Sequence, residues 1–383
     1  MSVPVVDLGP AAAILGAGLV IAAVPALWVW LRHRRRGSGS VLRALTVLTL
    51  VLVFDLILLG AFTRLSDSGL GCPDWPGCYG HASPIGARAQ IDSAQAQSPT
   101  GPVTHTKAWI EMAHRYSATA IGGLILALAI ASVVAARRGR LPISPAWSVA
   151  TLLWVGVQGA FGAWTVTMKL YPAIVTAHLL GGMALLALLA AQSEVYAPRP
   201  LGLGPGLRRA LPVVGILVVG QVALGGWVST NYAVLACTDF PTCQGTWWPP
   251  MDAAGFALLR PLGRDADGGF LPFAALTAIH VAHRLGALLV VPAVLLLAWR
   301  LLAGRDPAAR GPAQALVGAV IWQAATGIGN VVLGWPLAAA VAHTGGAAVL
   351  VTALTVLLMR ARAASVTTRA TPARPVRAPA LGS

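Results

Sequence analysis

Nine stretches of this chain are apolar over the width of a bilayer, which leaves few ways to fold it. They lie near 11–31, 43–63, 109–135, 147–167, 173–193, 211–229, 273–300, 313–333 and 337–359, each close to the roughly 20 residues a transmembrane helix needs. Within hydrocarbon a backbone must satisfy its own polar groups, and a helix does so inside a single segment. Of the 383 residues 57% are hydrophobic and 10% charged, so the fold class is an all-α polytopic membrane protein, not a soluble domain. The first stretch has an acidic flank before it and an Arg cluster after it, the reverse of a secretory signal, and reads as a retained helix.

Basic residues fix the expected orientation. If the nine spans alternate, Arg32, Arg34, Arg35, Arg36 and Arg43, the loops at Arg137–Arg140, Arg199–Arg209 and Arg300–Arg310, and the end from Arg360 to Arg377 share one side. That side is the cytoplasm by the positive-inside rule, with the N-terminus outside and the C-terminus inside. The net charge of +15 is then a record of topology. It does not indicate nucleic-acid binding, because the arginines are spread over separate loops flanking apolar spans.

The chain also repeats itself at an offset of 165 residues. Leu70-Gly71-Cys72-Pro73-Asp74-Trp75-Pro76-Gly77-Cys78 is echoed by Leu235-Ala236-Cys237-Thr238-Asp239-Phe240-Pro241-Thr242-Cys243. The same offset carries Gly60 onto Gly225, Gln158 onto Gln323, Gly162 onto Gly327 and His178 onto His343, and with a four-residue slip His114-Arg115 meets His283-Arg284. Two copies of one bundle are implied: an extra N-terminal helix with a basic loop (1–40), a four-helix bundle (41–195), a cytoplasmic linker (196–209), a second four-helix bundle (210–360) and a disordered, solvated cytoplasmic tail (361–383). The two long outer loops, 64–108 and 230–272, contain all four cysteines. Their short spacing predicts Cys72–Cys78 and Cys237–Cys243 bonds, as loop staples or as redox-active pairs; two cysteines alone do not complete a metal site.

The histidines divide by environment. His33, His81 and His105 sit in polar loops and read as solvated, whereas His114, His178, His280, His283 and His343 lie in apolar spans, where ionisable groups are costly and usually functional. Counted from the outer ends, His114, His178 and His343 lie roughly 7–11 Å deep at 1.5 Å per residue, with His283 about a turn deeper. Paired imidazoles at matched depth suit axial ligation of a haem iron, and Gly181-Gly182 and Gly345-Gly346 leave room for a flat macrocycle. Arg115 and Arg284 are expected to meet haem propionates or to pair with loop carboxylates such as Asp74 and Asp239. Glu111 lies one turn outward of His114, where the other half has His280. It reads either as the group that makes one half the site of chemistry or as an ion-pair partner of Arg115. Asp55, inside the span 43–63, has no assigned role.

The segments Thr63–Cys78, Glu111-Met112-Ala113-His114-Arg115, Thr176–Gly182, Ala236–Gly245 and Ala282-His283-Arg284-Leu285-Gly286 closely resemble haem A synthase, from about Val41 to Arg360. The resemblance implies two four-helix bundles related by a pseudo-twofold axis, and oxidation of a ring methyl of haem O to a formyl group through a hydroxymethyl intermediate. It makes His283 and His343 axial ligands of a bound haem b and sets His114 and His178 around the substrate haem O, with Glu111 beside the reacting periphery. It also implies a bacterial inner-membrane setting and a role in supplying cytochrome oxidase, with membrane lipid, haem O synthase, oxidase assembly factors and a second copy of the chain as the partners such a role admits. The helix at 11–31 is a departure from the family's eight-helix pattern. The competing readings from other classes are a dihaem electron-transfer protein and a transporter built from parallel repeats.

Overall fold

The computed structural model describes residues 8–139, 144–304 and 306–370, with side chains described to residue 364. Nine of its helices are long and apolar enough to cross a membrane among the described residues, in agreement with the nine expected spans. In chain order the helices are α1 (Gly9–His33), α2 (Ser38–Leu65), α3 (Arg88–Gln97), α4 (His105–Arg137), α5 (Ala146–Thr167), α6 (Pro172–Tyr196), α7 (Pro205–Thr230), α8 (Phe273–Ala303), α9 (Pro307–Val332) and α10 (Leu337–Ala370). The chain is thus a multi-pass membrane protein. Short α3, within the outer loop, is the one helix that does not cross.

The helix starts follow from local chemistry. Pro172, Pro205 and Pro307 occupy first-turn positions, where a missing N–H costs nothing. The Thr104 side chain accepts the Lys107 N–H at 3.2 Å, a cap that starts α4 four residues before its apolar run. Hydroxyls within spans return to their own helix: Thr46 and Thr49 donate to the Leu42 and Leu45 carbonyls at 2.8 Å. Leu153, Ile216 and Leu288 point outward and stay exposed, as lipid allows.

Packing groups the spans in two sets. α2 packs on α4 and α6, and α5 closes the set by touching α4 and α6; α7 packs on α8 and α10, and α9 closes the second set against α8 and α10. The sets meet through α6 with α7 and through α10 with α2 and α6, while α1 lies on α4 and α2 at the edge of the first. The backbone repeats as the sequence does. Left-handed φ values at Asp67, Tyr79, Gly80, Lys169 and Leu170 recur 165 residues on at Tyr232, Gln244, Gly245, Gly334 and Trp335.

Residues one repeat apart touch each other. Arg64 Nη2 donates to the Ser229 carbonyl at 2.6 Å, and the Tyr232 hydroxyl meets Asp67 Oδ1 at 2.7 Å. At the opposite end of the helices Arg360 makes a two-pronged ion pair with Glu194, at 3.0 and 2.9 Å, one residue from strict equivalence. Contacts between equivalent positions are what an axis of twofold type between two copies requires.

Three expectations change. α10 runs to Ala370, ten residues into the segment 361–383 expected to be disordered, because the Ala- and Arg-rich sequence is a good helix former. α7 begins at Pro205, inside the expected linker 196–209, and Leu201 in that linker is buried, its N–H donating to the Arg360 carbonyl at 3.0 Å. His33 is not in a loop; it ends α1 with Nδ1 3.0 Å from Ser40 Oγ. Among the expected inner-face arginines, Arg140, Arg305, Arg374 and Arg377 lie outside the described residues.

Candidate functional site

Each intramembrane histidine of the repeat leans on a glycine of a neighbouring helix. A Cβ built on Gly60 would lie 3.0 Å from His114 Cε1, and one on Gly225 would lie 3.0 Å from His283 Cε1; for Gly327 and His343 the distance is 3.2 Å, and for Gly162 and His178 it is 3.6 Å. The four glycines are the ones the sequence repeats at the offset of 165. Absence of a side chain is therefore what lets the rings of His114, His283 and His343 turn inward from their helices, whereas at Gly162 a Cβ would make only ordinary contact with His178. His114 and His178 stand on α4 and α6, and His283 and His343 on α8 and α10, pairs that face each other across their own set of four.

The residues fit a haem. The His283 and His343 ring centroids are 6.4 Å apart with planes at 78°. Two metal–nitrogen bonds of about 2 Å each, with half a ring on either side, come to about that spacing. His343 Nδ1 is 2.9 Å from Thr326 Oγ1, an acceptor for its hydrogen, which leaves Nε2 of that ring as the ligating nitrogen; His283 Nδ1 is 3.1 Å from Gln221 Nε2. No cluster of three or more His, Cys, Asp or Glu that could hold a free metal ion occurs among the described residues.

Both predicted disulfides are formed, Cys72–Cys78 and Cys237–Cys243. All four cysteines are buried, a setting for staples more than for exchange chemistry. The two loops share one architecture. Asp74 accepts the Tyr79 and Gly80 N–H groups at 2.6 and 2.7 Å, and Asp239 accepts those of Gln244 and Gly245 at 2.7 and 3.1 Å. Asp239 also takes the Thr242 hydroxyl at 2.5 Å, which together with the two amides holds its carboxyl below the usual carboxylate range.

The arginines correct an expectation. Arg115 is buried and fully engaged: its guanidinium donates to the carbonyls of Cys72, Asp74, Pro76 and Gly77 and to Glu111 Oε1 at 2.5 Å. Arg284 donates to the Thr242 and Asp239 carbonyls at 2.7 and 2.9 Å. Among the described residues neither forms an ion pair with Asp74 or Asp239. Each binds main-chain oxygens of a disulfide loop, which a planar guanidinium does well because its donors fan out in one plane. Glu111, only 3% exposed, receives the Cys72 N–H at 2.7 Å on its other oxygen. The structure therefore brings Glu111, Arg115 and the first disulfide into one knot a turn outside His114, and the expected Glu111–Arg115 pair exists. His280, at the matching position, packs with Nδ1 3.1 Å from the Ala233 carbonyl.

Among the other titratable groups, His105 pairs with Asp92 at 2.6 Å, His81 remains exposed, and Asp55 faces outward from α2 beside α1. Sequence reasoning missed Gln221 and Thr326, whose signal is that they stand on α7 and α9 within a turn of the notching glycines. It also missed Arg260, wholly buried under the second outer loop and bonded to Asn231 Oδ1 at 2.6 Å; a lone Arg in a loop carries no sequence signal of burial.

Comparison with known proteins agrees with this geometry. The family model described as "Cytochrome oxidase assembly protein" matches residues 43–355, which span α2 to α10 and leave α1 outside. The chain is 40% identical over 313 residues to the heme A synthase of Shewanella oneidensis, covering 80% of this chain and 92% of that protein. It is 29% identical over 336 residues to the heme A synthase of Caulobacter vibrioides, covering 81% and 93%.

Proposed function

The chain belongs to the haem A synthase family, and from that premise we propose a division of work between its two halves. The chain is an enzyme of haem A formation. Its N-terminal half, 41–195, receives haem O between His114 and His178, and its C-terminal half, 210–360, keeps haem b between His283 and His343. The observation that carries this reading is the repeated notch, a glycine behind every one of the four imidazoles, together with the His283–His343 ring spacing of 6.4 Å.

Taken with water as the oxygen source, oxidation of the methyl of haem O to a hydroxymethyl releases two electrons and two protons, and oxidation of that group to a formyl releases two more of each, the electrons passing to an acceptor outside the chain. A haem b held by His283 and His343 would supply a one-electron carrier. The chain's own residues position the substrate and handle protons. His114 and His178 fix the plane of the substrate between α4 and α6. Glu111, buried and anchored by Arg115 and the Cys72 amide, presents a carboxylate at a constant place and with its charge balanced, fit to accept a proton or to stabilise positive charge at the reacting carbon. The stapled loop over α4 shields that region from water. The setting is the bacterial inner membrane with the N-terminus periplasmic and the C-terminus cytoplasmic, supported by the basic residues flanking the inner helix ends. Haem O synthase upstream and oxidase assembly factors downstream are the partners this role calls for.

Haem extraction after expression beside a haem O synthase tests the reading. The formyl product is expected from the wild-type chain. Glu111→Gln is expected to keep haem b while haem O or the hydroxymethyl compound accumulates. Two permanent b-type haems with no formyl product from the wild type would overturn the proposal in favour of a dihaem electron carrier, and normal conversion by Glu111→Gln would reduce that residue to a structural ion-pair partner.

A further inference from the structure

The repeat allows the two histidine pairs to be compared position by position, and they differ in what stands behind the rings. In the C-terminal half His343 Nδ1 is 2.9 Å from Thr326 Oγ1, and that hydroxyl gives its own proton to the Trp322 carbonyl at 2.7 Å. With its proton committed, the oxygen can only accept from the ring, so Nδ1 carries the hydrogen and Nε2 keeps its lone pair. The Gln221 amide nitrogen, a donor, lies 3.1 Å from His283 Nδ1 and donates to the His283 carbonyl at 3.0 Å, so it cannot accept a proton from that ring and gives His283 no lock of the same kind. Moving back 165 residues replaces Gln221 by Leu56 and Thr326 by Phe161. Neither can form a hydrogen bond, and Nδ1 of His114 and Nδ1 of His178 are both buried without a partner.

We propose that Thr326 is a positioning residue that locks the ring of His343 and so makes the C-terminal half a permanent haem site, whereas Phe161 leaves the His178 ring unlocked so that the N-terminal half can release its haem. The inference rests on the proposed function and adds the physical means by which one haem stays and the other is exchanged. A partner on the second ring nitrogen fixes ring orientation and raises ligand basicity, and losing such a partner typically weakens binding roughly 10- to 100-fold. An enzyme whose substrate and product are both haems must bind them by the same kind of ligand as its cofactor. Selective retention then has to come from outside the ligand set. The glycine notches do not supply it, since His114 in the N-terminal half lies as close to its glycine as His283 does in the C-terminal half.

The test uses the full chain purified in detergent. Thr326→Val, which keeps the shape and removes the hydroxyl, is expected to lose haem b roughly 10- to 100-fold faster to an external haem acceptor, and to show a raised midpoint potential because a less basic imidazole stabilises the oxidised iron less. Thr326→Ser should restore both. Phe161→Thr, the reciprocal change, should retain haem in the N-terminal half through purification where the wild type loses it. Unchanged haem loss and potential in Thr326→Val would overturn the inference while leaving the proposed function intact; if that variant does not fold, failure of Phe161→Thr to retain haem does the same. Absence of a bis-histidine haem spectrum in the wild type would instead overturn the proposed function itself.

Discussion

One missing methyl group decides how closely an imidazole can lie against the next helix. At Gly225 an added Cβ would come within 3.0 Å of His283 Cε1, whereas at Gly162 it would sit at an ordinary 3.6 Å from His178. Gly→Ala in a helix gains about 1 kcal/mol of propensity, while overpacking costs about 1–3 kcal/mol, so stability alone will barely separate the two variants. The spectrum will. Gly225→Ala is expected to displace the His283 ring and alter or abolish the low-spin haem signal, and Gly162→Ala to leave it unchanged; identical spectra from both would mean that the notch does not govern ligation. The same scale explains Arg115. A lysine there would replace one charge with another but could not reach the carbonyls of Cys72, Asp74, Pro76 and Gly77 together, because a single ammonium lacks the planar fan of donors.

Each disulfide loop is an element assembled from a carboxylate, two left-handed residues and a sulfur bridge. Tyr79 and Gly80, and their counterparts Gln244 and Gly245, adopt positive φ, which an Asx-type acceptor at Asp74 or Asp239 stabilises by taking their amides. Because the Asp239 carboxyl titrates below its unfolded value, with the Thr242 hydroxyl as the main cause, its contribution to loop order is present above the ordinary carboxylate range and is lost as pH falls through the lowered folded value. Protection of the Gln244 and Gly245 amides against hydrogen exchange, relative to a free peptide at the same pH, should thus hold at pH 5 and fall only in stronger acid; a fall already near pH 6 would show that the carboxylate does not hold the turn. The pairing of the cysteines, the nine spans and the four histidines were legible in the sequence, since each leaves a local signature: short spacing, apolar length, a polar residue in lipid. The attachments of Arg115 and Arg284 were not. Their partners are backbone oxygens some forty residues away in sequence, and every residue type supplies those, so only the fold reveals them. Thr326 went unnoticed for a related reason: its meaning lies in the contrast with Phe161, which requires knowing that both positions face a ring.

At the scale of the molecule the two sets of helices are tied at both ends by residues one repeat apart. The Glu194–Arg360 pair is largely buried, with side chains 12% and 10% exposed, and Arg360 also donates to the Ala308 carbonyl at 2.6 Å. Removing one member of a buried pair leaves an uncompensated charge at a cost of about 3 kcal/mol. Glu194→Gln should therefore lower the melting temperature in lipid nanodiscs by several degrees, while Glu194→Gln combined with Arg360→Met, which removes both charges, should recover part of the loss. An unshifted melting temperature in the single variant would mean that the pair contributes nothing across the interface. These contacts also say something about ancestry and assembly. Had the N-terminal half paired with a copy of itself, a second Asp67 would have stood where Tyr232 now donates its hydroxyl to the first, and two carboxylates would have faced each other. Joined in one chain, the halves carry unlike residues at that place, so the N-terminal half is complementary to its sister and repelled by its twin.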